Sequence, residues 1–337
     1  MNRLPANAIA AIVGCLAAQG AMAQNTPSIY GLIDVAAGRF QALGGPGQWQ
    51  EQGSGLSLSF IGIRGGEDLG GGLRARFGLE AYLGADTGTV GRFAGDAFWS
   101  RSAYVGLQGA FGTTLLGRLP TPLWTSTQLF NPFGESLAFS PSMRQYFGGT
   151  VLGDSHWNNS VGYSSAEPEG GHGLRYSVQF NAGEGTAGTG KNVGVNVIYT
   201  SGPLSATGVW QQVRNSVLPL PPGFDHQNIY QLGASYEFPV VRLYGQAGHA
   251  STRATTPATT SLYQFGAAVP VGLGFVIGSY GQAHSESAGT EQTRRTFSLG
   301  YDYFLSKNTD VYAVVMNERM TNLSNANTVA AGLRLRF

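Results

Sequence analysis

Residues Thr328–Phe337 read T-V-A-A-G-L-R-L-R-F. Val329, Ala331, Leu333, Leu335 and Phe337 share one parity, and Ala330, Gly332, Arg334 and Arg336 share the other. Side chains of a β-strand alternate faces with period two, so this strand has one apolar face and one face carrying two arginines. A soluble sandwich also buries one face of each strand. Recurrence of the pattern along the whole chain points instead to a barrel that is apolar outside and charged inside.

The same alternation marks Leu73–Leu83, where Ala75, Phe77, Leu79 and Ala81 oppose Arg74, Arg76, Glu80 and Tyr82. It returns at Leu174–Asn181, Tyr230–Phe238 and Phe297–Leu305. The polar side is too charged for a protein core, and the apolar side too regular for a solvated surface. The pattern predicts sixteen strands, at 28–40, 56–65, 73–83, 98–108, 111–119, 156–165, 174–182, 192–200, 204–214, 228–238, 241–251, 261–269, 273–283, 293–305, 309–319 and 328–337. An even number lets the sheet close without an exposed edge. The expected fold is therefore all-β, a 16-stranded antiparallel transmembrane β-barrel.

Composition agrees. Glycine supplies 51 of 337 residues, about twice the usual ~7%. Charged residues are 12%, against roughly 25% in ordinary domains. Mean hydropathy is −0.06, and no run of apolar residues after the leader is long enough for a helical span. Residues 1–23 read as a signal peptide: Arg3 is a sparse basic start, Ala8–Ala18 are mostly apolar, and Ala21-Met22-Ala23 is an A-x-A cleavage signal. Ile12-Val13-Gly14-Cys15 is a looser fit to a lipidation box. Cleavage after Ala23 removes one of the 20 basic residues and the one cysteine, leaving 19 basic against 19 acidic. That balance argues against a nucleic-acid partner, and loss of the cysteine excludes thiolate catalysis and thiolate metal sites. Residues 24–337 form the expected barrel domain.

Connections alternate in length, with short Gly/Pro/Ser-rich turns on one side and long loops on the other. The segment 120–155 is the outlier. It holds Pro120, Pro122, Trp124, Phe130, Pro132, Phe133, Pro141 and Phe147. A loop of that length is usually functional, and its apolar content predicts that it folds back into the barrel and narrows the lumen.

Other motifs carry less. Gly185–Asn192 reads G-T-A-G-T-G-K-N, one residue from a phosphate-binding loop, and Gly183, Gly185 and Gly188 spell G-x-G-x-x-G. Both motifs need a following helix, whereas Val193–Tyr199 reads as a strand. His156, His172, His226, His249 and His284 are scattered, so neither a metal nor another cofactor is expected. No G-x-S-x-G elbow is present. An enzyme barrel would need a clustered triad or dyad; a surface adhesin would need a plugged lumen.

Several segments resemble the trimeric general-diffusion porins of Gram-negative outer membranes, most closely the β-proteobacterial subgroup. They are Ser28–Asp34 (S-I-Y-G-L-I-D), Ile61–Leu73 (I-G-I-R-G-G-E-D-L-G-G-G-L), Arg101–Leu107, Phe111–Arg118, Asn159–Tyr163, Leu299–Lys307 and Gly332–Phe337. The resemblance implies an outer-membrane channel for small hydrophilic solutes, a homotrimer embedded among lipid and lipopolysaccharide, and an inward-folded third loop. It also implies that the terminal aromatic, Phe337, is read by the barrel-assembly machinery. Position by position, Arg101 matches a wall arginine, Glu80 a wall acid, and Pro132-Phe133-Gly134 the turn at the loop tip. Phe60 and Gly162 stand where many members carry arginine, a further arginine is missing around His156–Trp157, and Asn131 replaces a common acid. The constriction is therefore expected to be less polarised than is usual.

The expected lining comprises Arg64, Arg74, Arg76, Arg101 and Arg118, with Glu80, Glu135 and Asp154 as nearby acids and Asn131 at the loop tip. A girdle or loop-clamping role is the alternative for each arginine, and Arg118, near a strand end, is placed for subunit or loop contacts. Charged groups of this density need water, because an unpaired buried charge costs several kcal/mol. Arginines outnumber acids, which predicts passive diffusion with a weak anion preference. Within the pore class, the aromatics Trp124, Phe130 and Phe133 leave open a solute-specific channel.

Overall fold

The computed structural model describes residues 27–183 and 190–337. The leader expected over 1–23 and most of the Gly-rich 183–191 loop lie outside the described residues. Strand segments are β1 (Ser28–Gln41), β2 (Gly47–Gly53), β3 (Phe60–Gly70), β4 (Leu73–Gly84), β5 (Thr89–Val90), β6 (Ser102–Gly109), β7 (Gly112–Pro120), β8 (His156–Ser164), β9 (Gly173–Asn181), β10 (Val193–Ser201), β11 (Leu204–Val213), β12 (His226–Phe238), β13 (Val241–Arg253), β14 (Ala258–Val271), β15 (Gly274–Ser287), β16 (Thr290–Phe304), β17 (Thr309–Met320) and β18 (Ala326–Arg336).

All neighbours pair antiparallel, and β1 closes the ring by pairing with β18 from Leu32↔Arg336 to Arg39↔Val329. Segments β2 and β3 pair with the two halves of β1 and act as one broken stave. Segment β5 is a two-residue appendage on β4. The wall is thus a closed 16-stave antiparallel barrel. Beyond β18, Phe337 and Gly31 exchange both backbone hydrogen bonds, at 3.0 and 3.1 Å.

Alternation becomes two surfaces. On β12, Leu232 is 69% exposed while its neighbour Gln231 is 1% exposed. On β14, Phe265 is 67% exposed beside Gln264 at 1%. A solvated protein would not place its large apolar side chains outward and its glutamines inward. A lipid-facing exterior requires it, and the inter-strand ladder pairs the backbone so that strands can stand in lipid. No helix among the described residues is long and apolar enough to cross a membrane, and the strands do the crossing.

Three boundaries differ from the sequence reading. The stave expected at 56–65 is β2 plus β3, and Leu56–Ser59 between them are buried inside the barrel. There the Asp34 carboxylate accepts from Ser57 N at 2.7 Å and the Ser59 hydroxyl donates to Asp34 O at 3.0 Å, so the apolar residues face the loop rather than lipid. The segment 98–101 is irregular, and β6 begins at Ser102. The loops expected at 252–260 and 284–292 shrink, because β13, β14, β15 and β16 run on as polar ladders. Beyond the bilayer an outward face needs no apolar residue, so alternation stops before the hydrogen bonding does.

The segment 121–155 folds inward as expected. Helix α1 (Pro122–Leu129) starts where Thr121 Oγ1 accepts from Trp124 N, with proline in the first turn. Helix α2 (Pro141–Gln145) repeats the arrangement with Ser140 as its cap. The wall makes room with glycines. A Cβ on Gly194 would sit 3.0 Å from Pro122, one on Gly266 2.7 Å from Pro132, and one on Gly281 2.7 Å from Pro141. On Gly248 it would overlap the Tyr146 hydroxyl.

Candidate pore constriction

Polar contacts fasten the loop to the wall on several sides. Gln246 Nε2 donates to Thr127 O at 2.9 Å, Gln227 Nε2 to Thr150 O at 2.8 Å, and Ser298 Oγ to Phe139 O at 2.6 Å. From the loop, Ser136 Oγ donates to Gly55 O at 2.7 Å. Arg144 pairs with Glu318 at 3.0 Å, and Arg294 of the neighbouring stave approaches the same carboxylate at 2.6 Å. One acid between two arginines leaves net positive charge at this anchor.

Arg101, just before β6, pairs with Glu80 of β4 at 3.2 Å and with Glu135 of the loop at 3.0 Å. Its guanidinium lies 4.3 Å from the Phe60 ring centroid. Tyr30 donates to the other oxygen of Glu80 at 2.5 Å. A wall acid, a wall arginine and a loop acid therefore form one partly exposed chain. On the same wall Arg64 stacks on Tyr30 at 4.4 Å. Arg76 reaches Gln108 at 3.4 Å, and Arg74 is exposed near the Gly70–Gly72 turn. These two sit toward the short-turn mouth, away from Arg101.

Three expected lining residues are loop staples instead. Arg118 is 8% exposed and donates to Ser100 O, His156 O and Asn158 Oδ1, while pairing with Asp154 at 3.1 Å. A bulge at Gly117–Leu119 lets it turn into these contacts. Asp154 also receives Arg92 at 2.5 Å, and Arg92 holds Asp96 at 2.8 Å. Burial alone would lift the Asp154 carboxyl, but the Arg92 hydrogen bonds and the charges of Arg92 and Arg118 outweigh it and hold the group below the usual carboxylate range. Asn131 is 4% exposed; its amide donates to Thr127 O and Gly134 O and its oxygen accepts from Phe133 N and Ser140 Oγ. A side chain so fully used inside the loop has nothing left for a solute.

The aromatics of the loop are likewise consumed. Trp124, Phe130 and Phe133 are 2%, 3% and 3% exposed. Trp124 packs on Phe147 and His156, and Phe133 packs with Leu56 and Tyr312. They form a core between loop and wall, and the aromatic track that would favour a solute-specific channel is not available from these residues.

Parity put Arg334 and Arg336 on the charged face, but reasoning from the sequence gave no partners to them or to the loop anchors. Arg334 pairs with Asp302 at 2.7 Å and Asp310 at 2.9 Å, and Arg336 joins Asp310 at 2.6 Å. Arg92, Arg144, Arg294 and Glu318 form the loop anchors described above. Inward parity was the one available signal for Arg334, Arg336, Arg294 and Glu318. Arg92 has a local partner in Asp96, four residues on, but nothing local marks its contact with Asp154 or that of Arg144 with Glu318, which lie 62 and 174 positions away.

Such a barrel, charged within, apolar without and narrowed by its own loop, has the build of an outer-membrane channel. Residues 8–323 match the family described as Gram-negative porin, and the chain belongs to that family. Outer membrane porin protein 32 of Delftia acidovorans is 33% identical over 311 residues, covering 88% of this chain and 85% of the relative. An outer membrane porin of Bordetella pertussis is 26% identical over 319 residues, covering 82% and 81%. Among solved structures, an anion-selective porin from Comamonas acidovorans superposes with a TM-score of 0.81 at 26% identity, covering 93% of this chain and 100% of that one. A Vibrio cholerae outer membrane protein, OmpT lacking its eighth loop, superposes with a TM-score of 0.73 at 15% identity over 93% and 99%, a likeness of fold.

Proposed function

We propose that this porin is a homotrimeric channel for passive diffusion of small hydrophilic solutes and ions, with a weak anion preference. The observation that carries the reading is the chain Glu80–Arg101–Glu135, which sets opposite charges from wall and loop side by side in the lumen. Fixed charges across a narrow, wet gap favour polar solutes and reject apolar ones. Glu80 and Glu135 compensate Arg101, so the preference rests on Arg64, Arg74 and Arg76, which have no carboxylate within salt-bridge distance among the described residues. Asn131, Arg118 and Asp154 shape the opening indirectly, by fixing the loop. An anion preference is in keeping with the Comamonas relative named for that selectivity.

Lipid and lipopolysaccharide are the surroundings that suit the apolar exterior, and Phe337, on the outward parity beside Gly31, is the residue we assign to recognition by the assembly machinery. The test is single-channel recording in planar bilayers with a salt gradient. Current steps in groups of three, with a reversal potential favouring chloride, support the reading. A silent barrel points to an adhesin, and a cation-favouring potential rejects the anion preference.

A further inference from the structure

We infer that the lumen wall beside the Glu80–Arg101 pair, toward the short-turn side, carries a weak binding site for planar aromatic carboxylates, built by Arg64, Tyr30 and Tyr104. The inference rests on the channel reading above and adds a solute class to it.

Two tyrosines lie flat across the wall where glycines replace side chains. Tyr30 of β1 crosses β3 over Gly62, where a Cβ would stand 2.8 Å from its Cζ, and its hydroxyl reaches Glu80 on β4. Tyr104 of β6 lies over Gly78 of β4, where a Cβ would stand 2.7 Å from its Cζ. Gly78 is the register partner of both Tyr104 and Arg64. By that register the two rings approach Arg64 from opposite sides, and its guanidinium lies over the Tyr30 ring, 4.4 Å from the centroid.

Charge selects the other half of the ligand. Arg64 is exposed, and no carboxylate lies within salt-bridge distance of it among the described residues, whereas neighbouring Arg101 is matched by Glu80 and Glu135. A guanidinium placed over an aromatic ring and unpaired with any carboxylate keeps N–H donors for one, which it can bind in a bidentate way. The Tyr104 ring beside it offers a face for an arene. An aliphatic carboxylate would gain the ion pair alone. A neutral arene would gain stacking alone.

The experiment compares benzoate with cyclohexanecarboxylate, equal in charge and close in size, as blockers of chloride current through single channels. Benzoate is expected to half-block at a concentration lower by about threefold or more, the lower range of an aromatic contact. Arg64→Gln should lose block by both anions, and Tyr104→Leu should bring the two half-block concentrations together. Equal block in the unaltered protein, or a benzoate advantage that survives Tyr104→Leu, overturns the site. Titration calorimetry of both anions into the refolded barrel applies the same comparison without current. Absence of chloride current therefore counts against the channel reading, while calorimetry still decides the site.

Discussion

Glu135, carried by the inward loop, meets Arg101 of the wall at 3.0 Å, although 34 residues separate them. This contact ties the loop to the wall, and on the channel reading proposed above its charge balance sets what the opening favours. Glu135→Gln leaves Arg101 paired with Glu80 alone and should raise the chloride-to-potassium permeability ratio. Arg101→Gln should lower it. A shift of about twofold to fivefold is expected, corresponding to ~0.5–1 kcal/mol for a partly exposed pair. It is read from zero-current potentials and should vanish near 1 M salt, where the screening length is about 3 Å.

Glycine notches in the wall should be specific to the loop. Gly248→Val would drive a side chain into Tyr146, which is 1% exposed. Overpacking of this kind costs about 1–3 kcal/mol, and the loop should shift while the barrel still closes. Gly208→Ala is the control, because its Cβ would meet Leu232 at an ordinary 3.7 Å. Conductance should change in the first variant and not in the second, while both keep the strand-type circular dichroism.

The Arg92–Asp154–Arg118 clamp should ignore pH across the neutral range. The Asp154 carboxyl is held below its ordinary value, so its contribution is fully present above the unfolded value of about 3.9 and is lost as pH falls through the lower folded value. Open-channel noise should stay flat from about pH 8 to 5 and rise only in stronger acid. Asp154→Asn should be noisy already at neutral pH. A rise in noise near pH 6 in the unaltered protein would contradict the assignment.

Glu318 sits between Arg144 and Arg294 with its side chain 2% exposed. Removing it strands two partly buried arginines, a loss of about 3–5 kcal/mol for a broken buried pair. Glu318→Ala should lower the unfolding temperature of the barrel in detergent. Adding Arg144→Met should recover part of the loss, and the double-mutant cycle isolates the contact between loop and wall.

Much of this architecture is legible in strings such as L-R-A-R-F-G-L-E-A-Y-L at Leu73–Leu83. A period of two assigns each side chain to lipid or lumen, and its recurrence sets sixteen staves and closure. The aromatic content of 120–155 is enough to send that loop inward, since water would not hold it. Family resemblance marked Arg101 as a wall arginine and Glu80 as a wall acid, and the structure pairs them.

Contacts between distant segments were not legible. Parity put Arg64, Arg74, Arg76 and Arg101 inside without saying that Arg101 alone meets the loop. Arg118, Asp154 and Asn131 carry the residue types of a lining and are instead consumed as staples. Periodicity is a local property, written in the covalent geometry of one strand, and it decides the side on which a residue stands. Which loop arrives opposite that residue depends on the closed barrel and on where Gly194, Gly248, Gly266 and Gly281 let the backbone come close, and this is fixed only when the whole ring has folded.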